Sequence, residues 1–336
     1  MKASDPRPLT RAGIALTALS MGSAPLGGLY APVPEADARA ALDAAWEAGI
    51  RYFDTAPMYG LGRAEHLVGD LLRRHGGSDA ARISTKVGRL MQNGRPGRPL
   101  PETGPRNAFD SGWHDGLPFT EVFDYSRDGV MRSFDDSQQR TGLARFDLLY
   151  VHDIGPATHG ERHARHWEAL TRGGGFEALA ELRSAGLIAG FGLGVNEIGV
   201  AAEAMEEADL DCCLLAGRYT LLDRSGRDLL DRAATRGVDI VAGGAFNSGV
   251  LVPGGPDGAK FDYSEAPPAV LERVQRLDAL CRDFGVPLPA AAIQFPLRHC
   301  AVRSVAMGAK TADQVCANVR WFEQPIPDAL WAALDA

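Results

Sequence analysis

Ile50-Arg-Tyr-Phe-Asp54, Gly62-Arg-Ala-Glu-His-Leu-Val-Gly-Asp-Leu-Leu-Arg73 and Arg82-Ile-Ser-Thr-Lys-Val87 follow one another as a β-like run, a helical pattern and a second β-like run. That order is the unit from which parallel sheets are built. Upstream, residues 34–48 read as a helix with Ala41, Leu42, Ala45 and Trp46 on one face and Gly49 as its stop, preceded by a strand over residues 16–20. Downstream, strands are expected over residues 146–152, 188–195, 211–216, 238–242 and 302–306. Helices are expected over residues 176–184, 198–208, 227–235, 289–298 and 313–320. Eight strands alternating with helices predict an α/β fold, a closed (β/α)8 TIM barrel forming one domain over residues 1–336. Residues 88–120 and 253–268 are rich in Gly, Pro and charge, read as long loops, and fall after strands at the C-terminal face, where barrel active sites are built.

The composition agrees. A chain of 336 residues with 45% hydrophobic and 23% charged residues can bury a full core, which excludes disordered and collagen-like classes. Its net charge of -8 gives no basis for binding a nucleic-acid backbone. The five cysteines include the neighbours Cys212 and Cys213 and no Cys-x-x-Cys, so neither a disulfide framework nor a zinc ribbon is indicated and a reducing cytoplasm is expected. Lys2, Arg7 and Arg11 ahead of the uncharged residues 12–34 resemble a secretory signal. The apolar core of that stretch is soon broken by Gly22, Pro25, Gly27 and Gly28, too interrupted to span a membrane, and removing it would leave seven strands with an open edge. The segment is therefore read as structural.

Asp54, Lys86 and His152 stand at strand ends, with Tyr59 in the loop after Asp54, so a barrel would bring all four to one mouth. Each has an ordinary reading: a helix cap, a snorkelling lysine, a core histidine, a packed aromatic. Together they suit proton transfer at an alcohol oxygen. A phenol has a pKa of ~10, which a close ammonium from Lys86 is expected to lower, with Asp54 holding the lysine and His152 orienting the reacting oxygen.

Phe53-Asp-Thr-Ala-Pro-Met-Tyr-Gly-Leu-Gly-Arg-Ala-Glu65, Ser84-Thr-Lys86, Leu148-Leu-Tyr-Val-His152 and Gly192-Leu-Gly-Val-Asn196 resemble the aldo-keto reductases, and the likeness runs from residue 7 to residue 318. The resemblance implies a barrel without a Rossmann domain, Asp54, Tyr59, Lys86 and His152 as catalytic tetrad, and NAD or NADP lying across the mouth. It implies cofactor contacts from Gly22 and Ser23 at the first strand's end, from Asn196 to the amide, and from Ser248, Gly249 and Leu251 over the pyrophosphate. Gly308, Lys310, Gln314 and Asn318 would hold the adenosine end, although tight turns are the ordinary reading of the glycines. Val195, Ala216 and Gly243 depart from the family's serine, glutamine and stacking tyrosine. Gln314 replaces an arginine common in NADP-preferring members, so NAD is expected to serve at least as well as NADP.

Phe123-Asp-Tyr-Ser-Arg-Asp-Gly-Val-Met-Arg-Ser-Phe134, Ala216-Gly-Arg-Tyr-Thr-Leu-Leu-Asp223 and Ala245-Phe-Asn-Ser-Gly249 resemble the branch of D-threo-aldose, L-fucose and galactose dehydrogenases, which also holds pyridoxal 4-dehydrogenase. That implies oxidation of the anomeric hydroxyl of an aldose to a lactone with NAD(P), Tyr59 acting as general acid and base, by a monomer or homodimer. Trp113, His114, Arg218 and Asn247 are the candidate substrate contacts, against the reading that the first two lie on a surface loop and Arg218 packs structurally. The alternatives are pyridoxal 4-dehydrogenase, a general aldehyde or ketone reductase, and a cofactor-binding regulatory subunit without turnover.

Two further signals are set aside. His159, His163 and His166 would share a helical face and suggest a metal, but Glu161, Arg162 and Arg165 between them read as a solvated face and no carboxylate cluster accompanies them. Gly190-Phe-Gly-Leu-Gly194 has the wrong spacing for a dinucleotide fingerprint and continues a strand pattern.

Overall fold

The structure is a computed structural model that describes residues 1–93, 113–252, 260–262 and 264–335. Eight parallel strands close into a barrel: β1 (Leu19–Gly22), β2 (Tyr52–Asp54), β3 (Arg82–Val87), β4 (Leu148–His152), β5 (Gly190–Val195), β6 (Cys212–Ala216), β7 (Asp239–Gly243) and β8 (Val302–Gly308), with β8 pairing back to β1. The surrounding helices are α1 (Glu35–Glu47), α2 (Arg63–Arg74), α3 (Arg127–Thr141), α4 (Pro156–His159), α5 (His163–Thr171), α6 (Gly175–Ser184), α7 (Ile198–Glu207), α8 (Arg227–Arg236), α9 (Pro268–Asp283), α10 (Leu288–Gln294), α11 (Ala312–Glu323) and α12 (Asp328–Asp335).

Side chains alternate along each strand, and this alternation positions the site. On β4, Leu149 and Val151 face the helices, whereas Leu148 and Tyr150 face the barrel interior with Tyr52, Cys212, Leu214 and Val241. The interior phenols are satisfied, since the Tyr52 hydroxyl lies 2.9 Å from Ser84 Oγ and 3.0 Å from the Tyr150 hydroxyl. The same parity sends Asp54, Lys86 and His152 inward at the strands' C-terminal ends. Gly194, paired with His152 in the register, leaves them space, because a Cβ there would lie 3.2 Å from Lys86 Cε and 3.1 Å from Tyr150 Cβ.

Three sequence expectations are corrected. The run over residues 16–20 divides: Ala15–Thr17 pairs antiparallel with Pro6–Pro8, and the barrel strand starts only at Leu19. Leu9 and Leu16 join the interior cluster, so this hairpin plugs the bottom of the barrel. Residues 88–120 are not wholly loop, because Arg89–Gln92 pairs antiparallel with Thr120–Phe123. In the other long loop, Lys260–Phe261 pairs with Ser264–Glu265.

Helices α3 and α9 were not anticipated. Helix α3 is polar along much of its length, and its ends are set by Ser126, whose Oγ accepts from Gly129 N at 3.2 Å, and by left-handed Gly142. Helix α9 fully buries only Cys281, and it packs on the core through the partly buried stripe of Val270, Val274, Leu277 and Leu280. Among the described residues no helix is long and apolar enough to cross a membrane.

Candidate active site

Lys86 and Asp54 form a buried ion pair, Nζ donating to Oδ2 at 2.7 Å. Lys86 also donates to Thr55 O at 3.0 Å, and Ser84 Oγ donates to Asp54 Oδ1 at 2.7 Å, so both charges are held by hydrogen bonds as buried charges require. Tyr59 rides on the tight turn before α2, where Gly60, Leu61 and Gly62 all have positive φ. This turn fits closely on the β1–α1 loop, since a Cβ on Gly27 would lie 2.5 Å from Gly60 N. The Lys86 ammonium lies 4.6 Å from the Tyr59 ring centroid. His152 stands edge-on to the ring at 5.8 Å between centroids, and Trp113 lies 5.8 Å away on another side. Tyr59, Lys86, Trp113, His152, Asp153 and Asn196 line one cavity at the mouth.

The electrostatics around the phenol correct an expectation. Burial, then the Asp54 and Asp153 carboxylates, push the Tyr59 phenol well up, with Arg89 opposing. The net direction is upward: burial and the Asp54 carboxylate that pairs with Lys86 keep the phenol from becoming acidic. His152 is pushed well below the usual histidine range by burial and by the cations Arg89 and Lys86, so it is a neutral imidazole near neutral pH. Its Nε2 lies 3.4 Å from Asp153 Oδ2, and its buried Nδ1 has no protein partner among the described residues.

The expected cofactor residues surround this mouth. Gly22 ends β1, and the next residue, Ser23, is fully buried with its Oγ unpartnered among the described residues. Asn196 lines the cavity. Asn247, Ser248 and Gly249 form a left-handed turn with φ of 45°, 60° and 99°, and Leu251 is buried just beyond it. Gly308 ends β8; Lys310 N donates to Gln314 Oε1 at 2.7 Å, and Asn318 Nδ2 donates to Gly308 O at 3.4 Å. A cation the sequence reading missed joins them: Lys260 lies 4.1 Å from the Tyr30 ring centroid, and burial together with Lys260 lowers the Lys310 pKa. The buried Ser23 hydroxyl and Asn247 amide, unpartnered among the described residues, with two ammonium groups nearby, fit an extended ligand bearing phosphates and hydrogen-bonding groups.

Of the four substrate candidates, only Trp113 lines the cavity with Tyr59, held by a bridge to Leu29. His114 is exposed, its amide donating to Gly28 O at 3.2 Å. Arg218 is corrected: Nε donates to Asn196 O at 2.8 Å and Nη1 to Asp223 and Asp262 at 2.9 Å each, so it fixes Asn196 and has its charge matched. Asn247 is 2% exposed, with neither amide atom partnered among the described residues.

The histidine trio is not a solvated face. His159 is buried, with Nε2 2.9 Å from the Tyr125 hydroxyl and its ring 4.2 Å from that of His166, while His163 Nδ1 lies 2.9 Å from Ile154 O. Among the described residues no group of three or more His, Cys, Asp or Glu could hold a metal ion. Gly190 to Gly194 lie within β5, buried throughout, which leaves no phosphate loop there.

Sequence reasoning missed Asp153 and Arg89. The polar pair at the end of β4 was a usable signal for the first. Arg89 was hidden in an arginine-rich stretch with no strand pattern of its own.

Residues 18–336 match the aldo/keto reductase family. The chain belongs to the aldo-keto reductase family. This aldo-keto reductase is 60% identical over 335 residues to pyridoxal 4-dehydrogenase of Microbacterium luteolum, covering 99% of this chain and 97% of the relative. It is 39% identical over 327 residues to D-threo-aldose 1-dehydrogenase of a Pseudomonas species, covering 96% and 94%. Among solved structures, the holo form of an aldo-keto reductase from Bacillus halodurans superposes with a TM-score of 0.73 at 24% identity, covering 99% of this chain and 95% of that one, a likeness of fold. As an aldo-keto reductase the chain is an oxidoreductase of small molecules that uses a nicotinamide cofactor.

Proposed function

We propose that this aldo-keto reductase oxidises a cyclic hemiacetal to a lactone, with NAD(P) as hydride acceptor and Tyr59 as proton carrier. The convergence of Tyr59, Lys86, His152 and Asn196 on one cavity, with the Asp54–Lys86 pair behind it, carries this reading. The substrate candidates are pyridoxal, whose hydroxymethyl group closes on its aldehyde, and aldoses of the L-fucose, D-threo-aldose or L-galactose type. The sequence reading put aldoses first. The 60% identity to pyridoxal 4-dehydrogenase, against 39% to D-threo-aldose 1-dehydrogenase, supports testing pyridoxal first.

In this reading the nucleotide is held by Gly22, Ser23, Asn196, Ser248, Gly249, Leu251, Gly308, Lys310, Gln314 and Asn318, and when bound it supplies the hydride acceptor. Neutral His152 hydrogen-bonds the reacting hydroxyl and fixes its oxygen at Tyr59. The Tyr59 oxygen takes the hydroxyl proton during oxidation and returns it during reduction. Lys86 stays locked to Asp54, a fixed positive pole under the ring that steadies charge developing on the phenol. Trp113 covers the ring and keeps bulk water from it.

NAD is proposed to serve at least as well as NADP, because position 314 offers no guanidinium fork and the Gln314 oxygen is committed to Lys310 N. Lys260 and Lys310 remain as point charges. A kcat/KM strongly favouring NADP would overturn this preference.

The deciding experiment is a panel of pyridoxal, L-fucose, D-arabinose and L-galactose with each cofactor, followed by reduced-nicotinamide absorbance. Lactone formation from one of them is expected. Reduction of simple aldehydes with no lactol oxidised would favour a general reductase, and cofactor binding without any turnover would favour a regulatory subunit.

A further inference from the structure

Behind His152 lies an array of charges that the tetrad does not use. Arg89, fully buried, donates from Nη2 to Asp153 Oδ2 at 2.6 Å and from Nη1 to Glu121 Oε2 at 2.8 Å, and its guanidinium lies 4.9 Å from the Phe123 ring centroid. Glu121 and Phe123 belong to the hairpin strand paired with Arg89–Gln92, so the hairpin beyond β3 carries the clamp into place. Two carboxylates against one guanidinium leave a surplus negative charge, and Asp153 stands at the cavity wall.

Asp153 also holds a costly backbone conformation. Its φ is 45°, and its amide donates to Gly194 O at 3.0 Å. A left-handed φ is strained for a residue with a Cβ, and such strain gathers where a side chain must be aimed. The carboxylate it aims lies 3.4 Å from His152 Nε2, beside the group that orients the reacting oxygen. Oxygens on neighbouring carbons are separated by about one hydrogen-bond length (~2.8 Å), so an acceptor next to His152 lies within reach of a hydroxyl that flanks the reacting one.

We propose that Asp153, clamped by Arg89, accepts a hydrogen bond from a hydroxyl flanking the reacting carbon and thereby selects lactols that carry one. This rests on the lactol-oxidation reading above and adds to it the feature of the substrate that is recognised. Two donors come within that reach: the C2 hydroxyl of an aldopyranose, on the carbon next to the reacting one, and the phenolic 3-hydroxyl of pyridoxal in its uncharged tautomer, one ring carbon further along but turned toward the lactol oxygen. Asp153 is then a specificity residue, and Arg89 and Glu121 are positioning residues that act through it.

The test compares matched pairs, L-fucose with 2-deoxy-L-fucose and pyridoxal with 3-deoxypyridoxal, using whichever parent the wild type oxidises. A site built around a hydroxyl rejects the analogue lacking it, so the wild type should prefer the parent by ~100-fold or more in kcat/KM. In Asp153→Asn that ratio should fall by about tenfold or more, mainly through KM for the parent, with the melting curve showing a folded protein. Arg89→Met should lower the ratio too, and Arg89→Lys should restore part of it. A wild-type ratio near one overturns the proposal whether or not the variants fold, and so does an unchanged ratio in folded Asp153→Asn. Absence of lactol oxidation altogether would instead defeat the functional reading, so the two failures are distinct.

Discussion

Tyr59 carries the proton in the proposed reaction, and its surroundings determine how the rate depends on pH. Burial and two carboxylates push the phenol up, so near neutrality it holds its proton. Oxidation needs the unprotonated oxygen and reduction the protonated one. The oxidation rate should therefore keep rising as pH is raised above neutral, whereas the reduction rate should fall only at the alkaline end. Parallel kcat profiles in both directions check this, and an oxidation profile flat from neutral upward would contradict it. Tyr59→Phe should lose ~10²- to 10⁴-fold in kcat while still binding cofactor, measured by fluorescence titration. Lys86→Met leaves Asp54 buried without its partner and should destabilise the fold by about 3–5 kcal/mol in urea unfolding, beyond any effect on turnover. Arg218→Ala frees the Asn196 carbonyl, so cofactor Kd should rise at least as much as substrate KM; a rise in KM alone would return Arg218 to the substrate contacts.

At the scale of elements, side-chain parity carried the reading. Asp54 and His152 were legible because each closes a β-like run, and Lys86 because it stands one residue before the end of another; alternation along a strand then decides which face each takes. The hairpin of Arg89–Gln92 with Thr120–Phe123 was illegible, because its partners lie far apart in sequence and Arg89 looks like a surface charge until Asp153 and Glu121 are seen on either side of it. Close packing was hidden for a similar reason. Gly69 sits inside α2 as an apparent flaw, yet a Cβ there would lie 2.3 Å from Thr141 O at the end of α3. Gly69→Val should therefore cost about 1–3 kcal/mol or more by overpacking, read as an earlier denaturation midpoint, although valine suits a helix better than glycine does.

For the molecule as a whole, closure of the barrel depends on its first strand. β1 pairs with both β8 and β2, and the Pro6–Pro8 and Ala15–Thr17 hairpin beneath it seals the interior with Leu9 and Leu16. Removing residues 1–24 would open two sheet edges and the barrel floor, so the truncated protein should bind a hydrophobic dye strongly and lose its cooperative thermal transition. A cooperative, dye-silent truncation would show that seven strands suffice. The alternation of apolar runs and helical stripes determined the barrel and which strand ends carry Asp54, Lys86 and His152, because hydrophobic period and chain order are local properties that no distant contact can disguise. Only the tertiary structure decided that the phenol is pushed up, that Arg218 holds Asn196, that Lys260 joins Lys310, and that Asp153 faces the cavity with Arg89 behind it. Each of these depends on charges brought together from separate loops, and Coulomb interaction and desolvation act through distance in space, which the order of residues along the chain does not encode.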